Sequence, residues 1–367
     1  MKKILVVLLV LAVVCACFGV FAACDTPSAD TFEIAIVTDV GSLMDGGFNQ
    51  GTYEGAKAYA EANGLTYKYY QPANGSEATD NDRIAAMRQA VKNGAKVIVT
   101  PGYLQAKALE TVAKESPEVK FIFVDGWALG LNNVTAVVYK EAESGYMAGY
   151  AAVKEGYTKL GGVFGGGGSN PACNRFAYGY VLGAKAAAGE KAISLRLSYK
   201  EGGSFSASDA LQAYVGKWYS EGTEVVFSCG GSMVDSVKAA CELTPNGKII
   251  GVDVDQSALS ERVITSAVKG LATSVTQILT KMYEGKWDAE LADKASNLGA
   301  ANDATGLPTA TWRMTKFTLE DYNKLFNDIK NGTIVVDASK VDATADCNNE
   351  DFWKALESET VSITFEK

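Results

Sequence analysis

Short β-branched runs alternate with alanine-rich amphipathic runs along most of this chain, and that alternation narrows the possible folds more than any single motif. The apolar runs "FEIAIV", "AKVIVT", "KFIFVD", "VTAVVY", "KLGGVFG", "AISLRLSY", "TEVVFSC" and "KIIGVDV" read as strands. Between them the spacing predicts helices over 53–63, 80–93, 104–115, 143–155, 176–188, 208–220 and 233–243. Strands separated by helices of ten or more residues belong to parallel sheets covered on both faces. Eight strands exceed what one doubly wound sheet usually holds, so 367 residues, 47% of them apolar, point to an α/β protein of two lobes. Each lobe is then a doubly wound parallel sheet. No internal repeat or low-complexity segment interrupts the pattern.

In open α/β sheets, ligands bind outside the carboxyl ends of the strands. The informative positions are therefore those that directly follow a strand: Asp39, Tyr103, Asp125, the loop 165–170, Gly230 with Gly231, and Asp253.

The chain begins "MKK" and continues with an uncharged apolar run over 4–23 that ends "FAAC". This is an export signal over 1–23, and it resembles a bacterial lipoprotein signal, with Cys24 as the lipidated residue and 24–30 as anchor and linker. An uncleaved membrane anchor is the alternative, since the run is about long enough to span a bilayer. Either way the folded part is expected outside the cytoplasmic membrane. Losing Lys2 and Lys3 with the signal moves the formal charge from −9 to −11, which argues against nucleic acid as a partner. Four cysteines remain, Cys173, Cys229, Cys241 and Cys347, and both pairing and burial as free thiols stay open. The sequence contains no histidine, which excludes Ser-His-Asp and Cys-His catalysis and histidine zinc sites.

The stretch "TDVGSLMDGGFNQG" over 38–51 poses a chemical question, because a glycine-rich turn between strand and helix usually cradles phosphate. This one carries two aspartates and a phenylalanine and no basic residue. The second glycine-rich loop, "FGGGGSNPACNRF", lacks the lysine of a P-loop and reads as a flexible lobe-closing loop. Asp253, Asp255 and Gln256 in "GVDVDQS" supply too few oxygens for a calcium or magnesium site. An uncharged polyol fits better: Asp39 and Asp253 accept hydrogen bonds, and Phe48 offers a flat face for a ring. Helix capping for the aspartates and core packing for the phenylalanine are the competing explanations.

Taken in order, "TDVGSLMDGGFNQGTYEGAKA", "ESGYMAGYAA", "GGVFGG" with "NRFAYGYVLGAKA", "GSFS", "VVFSCGG", "GVDVDQ" and "ITSAVKG" resemble the basic membrane protein family of substrate-binding lipoproteins. These serve ABC importers and include purine-nucleoside receptors. The resemblance implies a two-lobed periplasmic-binding-protein-like (type I) fold, no enzymatic activity, no cofactor, and three partners: a small-molecule ligand, an ABC permease and the membrane. It implies that Asp39 contacts a base, that Phe48 stacks on it with Asn49 alongside, and that Phe205 closes the stack from the other lobe, with Phe176 and Trp218 as alternatives. Asp253 would hold ribose hydroxyls near Lys269. Tyr103 and Trp127 are further candidates for the cleft wall, and Met233 is expected near it. The lobes are expected to comprise 31–155 with 265–298, and 156–264 with 299–367. Two competing readings are a sugar or other small-metabolite receptor and a glycosidase using Asp39 and Asp253. A third is a surface adhesin.

Overall fold

The computed structural model describes residues 31–40 and 42–367. The expected signal segment and Cys24 lie outside the described residues. Six strands form the first sheet: β1 (Ile34–Val37), β2 (Tyr67–Tyr70), β3 (Val97–Pro101), β4 (Lys120–Val124), β5 (Val134–Tyr139) and, from later in the chain, Ala295–Leu298. The second sheet takes β6 (Lys159–Phe164), β7 (Ile193–Ser198), β8 (Val225–Cys229), β9 (Lys248–Asp253) and β10 (Val263–Lys269). Ala295–Leu298 is β11, and Thr305–Gly306 (β12) and Val361–Glu366 (β13) complete the second sheet.

The sheet orders are β2-β1-β3-β4-β5-β11 and β13-β7-β6-β8-β9-β10-β12. All pairings are parallel except that of β12 with β10. Although the sequence holds no repeat, the topology repeats: β2-β1-β3-β4-β5 and β7-β6-β8-β9-β10 share one winding order. In each sheet the order reverses once, between β1 and β3 and between β6 and β8.

The central strands are buried on both faces, and alternate residues feed different cores. Ile34, Ile36, Val97 and Val99 pack on one face of the first sheet, whereas Ala35, Val37 and Ile98 pack on the other. Leu160, Val225 and Phe227 divide from Val163 and Val226 in the same way in the second. This is the period-two geometry of a strand covered on both sides. The helices that cover them are α1 (Phe48–Ala62), α2 (Asp80–Lys92), α3 (Ala106–Glu115), α4 (Glu141–Glu155), α5 (Pro171–Ala188), α6 (Asp209–Ser220), α7 (Met233–Glu242), α8 (Leu271–Tyr283) and α9 (Leu319–Lys330). Among the described residues no helix is long and apolar enough to cross a membrane.

Two expected lobe boundaries are corrected. Helix α4 was expected with the first lobe, but its residues Met147, Ala148, Ala151 and Ala152 join the core of the second sheet. The reason is a pair of small-residue stripes: Gly145 and Gly149 on α4 face Gly179 and Gly183 on α5, so the two backbones touch. Residues 265–269 were also expected with the first lobe, yet they complete β10 of the second sheet. The chain therefore crosses near Lys140 and Gly270, and again near Gly299. The three crossings are tied together by α4, where Glu143 accepts hydrogen bonds from Ala300 N (2.6 Å) and Thr305 Oγ1 (2.8 Å). Beside it, Ser144 Oγ donates to Val268 O (2.6 Å) and accepts from Gly306 N (2.9 Å).

The α4–α5 contact yields a test. A Cβ at Gly183 would lie 1.9 Å from Tyr146 O, and helix backbones cannot yield that much without parting. Gly183→Ala is expected to lower unfolding free energy by about 1–3 kcal/mol in urea titration. Gly203→Ala, where nothing lies within 4 Å of the added carbon, should stay within about 0.5 kcal/mol of the parent. Equal effects of the two changes would refute a backbone contact at Gly183.

Candidate functional site

The two reversal points of the sheets open into one cavity with about 660 Å³ of atom-free space, part of it open to solvent. Nine residues singled out from the sequence line it: Asp39, Phe48, Asn49, Tyr103 and Asp125 from the first sheet's loops, and Phe205, Gly230, Asp253 and Lys269 from the second's. Parallel strands place these loops together, since every carboxyl end in a sheet points the same way.

The loop after β1 is ordered by its own polar groups. Asp45 caps the first turn of α1, with Oδ1 accepting from Gly47 N (2.9 Å) and Gln50 N (3.2 Å) and Oδ2 from Asn49 N (3.0 Å). This fixes Phe48 and Asn49 at the helix start. Asn49 Nδ2 donates to Val40 O (2.9 Å) and Ser42 O (3.2 Å). Asp39 Oδ1 accepts from Val40 N (2.6 Å), and the Arg83 guanidinium donates through Nε to the Asp39 carbonyl (3.2 Å).

Here the glycines serve side chains. Gly102, after β3 with φ of 104°, lies so close to Asp39 that a Cβ would fall 1.8 Å from Oδ2. Gly165 gives way to the Phe205 ring in the same manner, its hypothetical Cβ lying 2.4 Å from Cδ1. Three non-glycine residues at the site, Asp125, Phe205 and Asp253, hold positive φ of 57°, 58° and 67°. Each costs of order 1–3 kcal/mol, so surrounding contacts must hold them there.

At the cavity floor Lys269 Nζ contacts Asp125 Oδ2 at 2.6 Å, Asp253 Oδ1 at 3.6 Å and Glu141 Oε1 at 3.7 Å. Its side chain is 2% exposed. Burial opposes its charge, but the carboxylates of Asp125, Asp253 and Glu141 outweigh burial and hold the ammonium well above its ordinary pKa. Arg175 Nε reaches the second oxygen of Glu141 at 2.6 Å, extending the network to α5. Burial pushes Asp253 up to about 7, with Lys269 opposing and Asp125 and Asp45 adding to the rise. Burial likewise raises Asp39 to about 7, opposed by the Val40 amide and Arg83.

Other sequence expectations sort out plainly. Phe176 lines the cavity, whereas Trp218 is in the core on the other face of the second sheet, and its indole N–H donates to Glu366 Oε2 (3.4 Å). Trp127 is half exposed and packs on Phe123, away from the cavity. Met233 is buried beneath Gly230 and does not line the wall. The loop after β6 is anchored, because Gly168 O accepts from Asn174 Nδ2 (2.8 Å) and Cys347 N (2.9 Å). All four cysteines that the structure describes are buried free thiols, and Cys173 and Cys229 line the cavity. Sequence reasoning missed Glu141 and Arg175, whereas Asn170, at the end of the 165–170 loop, lines the cavity as a strand-end position. Glu141 sits in the first turn of a helix, where an acid ordinarily signals only the helix dipole.

A family model described as "ABC transporter substrate-binding protein PnrA-like" matches residues 32–340, so the chain belongs to the Bmp family of ABC transporter substrate-binding proteins. The ABC transporter nucleoside-binding protein BmpA of Lactococcus lactis subsp. cremoris is 29% identical over 310 residues, covering 77% of this chain and 86% of its own. Basic membrane protein B of Borreliella burgdorferi is 30% identical over 225 residues, 60% of this chain and 64% of its own. Among solved structures, an ABC solute-binding protein from Aeropyrum pernix K1 superposes with a TM-score of 0.71 at 20% identity, covering 85% of this chain and 96% of that one. An arabinose-binding protein from Geobacillus stearothermophilus gives 0.56 at 14% identity, with 76% and 97% covered. These two likenesses establish the periplasmic-binding-protein-like fold.

The raised pKa of Asp39 has a stability consequence with a definite sign. Its folded value lies above the unfolded one, so the folded state holds a proton that the unfolded state releases between about pH 4 and 7, and stability falls as pH rises through that window. Three pKa units correspond to at most about 4 kcal/mol. In ligand-free protein, Asp39→Asn should be more stable than the parent by about 2–4 kcal/mol at pH 8, and the difference should vanish towards pH 4. Urea unfolding across that range checks this, and a gap that widened on acidification would contradict it.

Proposed function

We propose that the chain is a lipid-anchored receptor, held at Cys24 on the outer side of the cytoplasmic membrane, that captures a purine nucleoside between its two lobes and presents it to an ABC permease. The observation that carries this is the lining of one cavity by rings from both sheets, Phe48 and Phe205, together with buried carboxylates. Flat rings stack on a heterocycle, and carboxylates accept from ring N–H groups and ribose hydroxyls. In this assignment Asp39 and Asn49 face the base, Phe48 and Phe205 stack on it, and Asp253 with Lys269 and Asp125 holds the ribose. Tyr103 and the Gly230 backbone complete the wall. The printed name of the Lactococcus lactis relative, a nucleoside-binding protein, supports the same ligand class.

The cavity brings together Asp39, Asp125 and Asp253 against a single ammonium that is already paired. That balance favours an uncharged ligand over an anionic one. A contact from each lobe also gives the ligand a higher affinity for a closed arrangement than an open one, which is the signal a permease can read. A sugar receptor of the same fold would use similar carboxylates but has less need of rings from both lobes. A glycosidase would need turnover, and the relatives that match are substrate-binding proteins.

Mass spectrometry of the small molecule released on denaturing freshly purified protein tests the ligand class directly; a free sugar in place of a nucleoside would overturn it. By calorimetry, Phe48→Ala is expected to weaken nucleoside binding by about 1–3 kcal/mol through lost stacking. Unchanged affinity would remove Phe48 from the site. A nucleoside 5′-monophosphate should bind at least about tenfold more weakly than its nucleoside, since its oxygens meet carboxylates. Tighter binding of the monophosphate would refute the charge argument.

A further inference from the structure

The wall that Asp39 and Asn49 build has a property that the proposed function does not use. Asn49 is 4% exposed and lines the cavity, and its Oδ1 has no hydrogen-bond partner among the described residues. Its orientation is not free, because Nδ2 is held by two backbone carbonyls, Val40 O at 2.9 Å and Ser42 O at 3.2 Å. Turning the amide over would set Oδ1 against both. Oδ1 is therefore fixed as an acceptor, buried and unsatisfied, an arrangement that costs free energy until a donor arrives.

Asp39 is placed beside it by the same residue. Val40 gives its N–H to Asp39 Oδ1 and accepts from Asn49 Nδ2 through its carbonyl, so one residue holds both the carboxyl and the side-chain amide where they line the cavity. Asp39 is 5% exposed, and among the described residues its Oδ2 receives no hydrogen bond that would occupy it. Two nearby donors are engaged elsewhere: Arg83 Nε on the Asp39 carbonyl and Lys269 on Asp125. The patch is acceptor next to acceptor.

Resting on the nucleoside assignment above, we propose that this wall selects bases whose edge carries adjacent N–H donors, so that the receptor prefers guanosine, with its N1–H and 2-amino group, to adenosine. Adenine presents its 6-amino donor beside the N1 lone pair. Seating it here sets N1 against an acceptor and leaves one protein oxygen still unpaired. Hypoxanthine, with N1–H alone, satisfies one acceptor and ranks between them. Sites built around such hydrogen bonds reject the mismatched analogue by far more than a lost apolar contact would, and a preference of roughly tenfold or more is the expected scale.

Calorimetric titration of ligand-stripped protein with guanosine, inosine and adenosine at pH 8.5 tests the ranking. Guanosine tightest and adenosine at least about tenfold weaker supports the inference; adenosine binding as tightly as guanosine overturns it, while leaving the nucleoside assignment standing. If none of the three binds, the assignment itself falls and this inference with it. Asp39→Asn places a donor beside an acceptor, the complement of adenine's edge, and should shrink or reverse the guanosine-to-adenosine ratio. An unchanged ratio in a variant whose circular dichroism matches the parent would overturn the part given to Asp39. If that variant fails to fold, Asn49→Ala serves in its place: loss of the second acceptor should bring guanosine down to the affinity of inosine, and a retained guanosine advantage would count against the inference.

Discussion

The ammonium of Lys269 is the charge around which the site is arranged. It stands on the last residue of β10 in the second sheet, and its shortest contact, 2.6 Å, is to Asp125 at the end of β4 in the first. A lysine this deeply buried is tolerated only where carboxylates surround it, and removing one partner of such a group typically costs about 3–5 kcal/mol. That requirement explains the otherwise odd burial of Glu141, which touches Lys269 with one oxygen and Arg175 with the other. It also explains why Asp125 and Asp253 are kept in the left-handed region despite the strain: the ion pair over-determines their position. Asp39, with no comparable partner, is left with a carboxyl that burial alone dominates.

Much of this was legible in the sequence, and the reasons are physical. Strands buried on both faces produce continuous β-branched runs, and the helices between them force parallel pairing, so the two doubly wound sheets could be read directly. The strand-end rule then pointed to Asp39, Tyr103, Asp125, Gly230 and Asp253, the aromatic face of Phe48 marked it as a stacking residue, and the resemblance added Asn49, Phe205 and Lys269, all of which line one cavity. What could not be read was which lobe a helix would join. Helix α4 follows β5 in the chain, and only the contact of Gly145 and Gly149 with a helix some thirty residues later draws it to the second sheet. Glu141 was hidden for the same reason, since its partners Lys269 and Arg175 arrive from distant segments. Edge strands were also missed. β2 is the tyrosine-rich "YKYY", half exposed, without the buried run that marked the others.

The glycine-rich loops show how a motif is separated from its usual chemistry. At a phosphate loop, glycines bring backbone N–H groups towards an anion. Here the space vacated by Gly102 is taken by the Asp39 carboxyl, and that vacated by Gly165 by the Phe205 ring. The backbone freedom is the same, but the group admitted is a side chain that accepts or stacks. A loop's glycine count therefore says how closely something approaches, while the charged and aromatic residues nearby say what it is.

Closure of such a receptor is a matter of which contacts span the two sheets. Besides Lys269 with Asp125, the side chain of Gln256 extends from the end of β9 to the loop after β1, its Nε2 donating to Gly46 O at 2.8 Å. Gln256 is itself fixed, with Oε1 accepting from Val252 N and its own N–H donating to Ser266 Oγ, both at 3.0 Å. A rigid donor on one lobe thus meets the loop that carries Phe48 and Asn49 on the other, and does so without lining the cavity. Opening would return that N–H and carbonyl to water, at a net cost of only about 1 kcal/mol. Parting Lys269 from Asp125 gives up their Coulomb attraction at 2.6 Å, a loss that rehydration of the two charges offsets in part. Contacts that span the two sheets, Lys269 with Asp125 and Gln256 with Gly46, form only when the sheets approach, so any molecule held from both sides is linked to them by the same equilibrium.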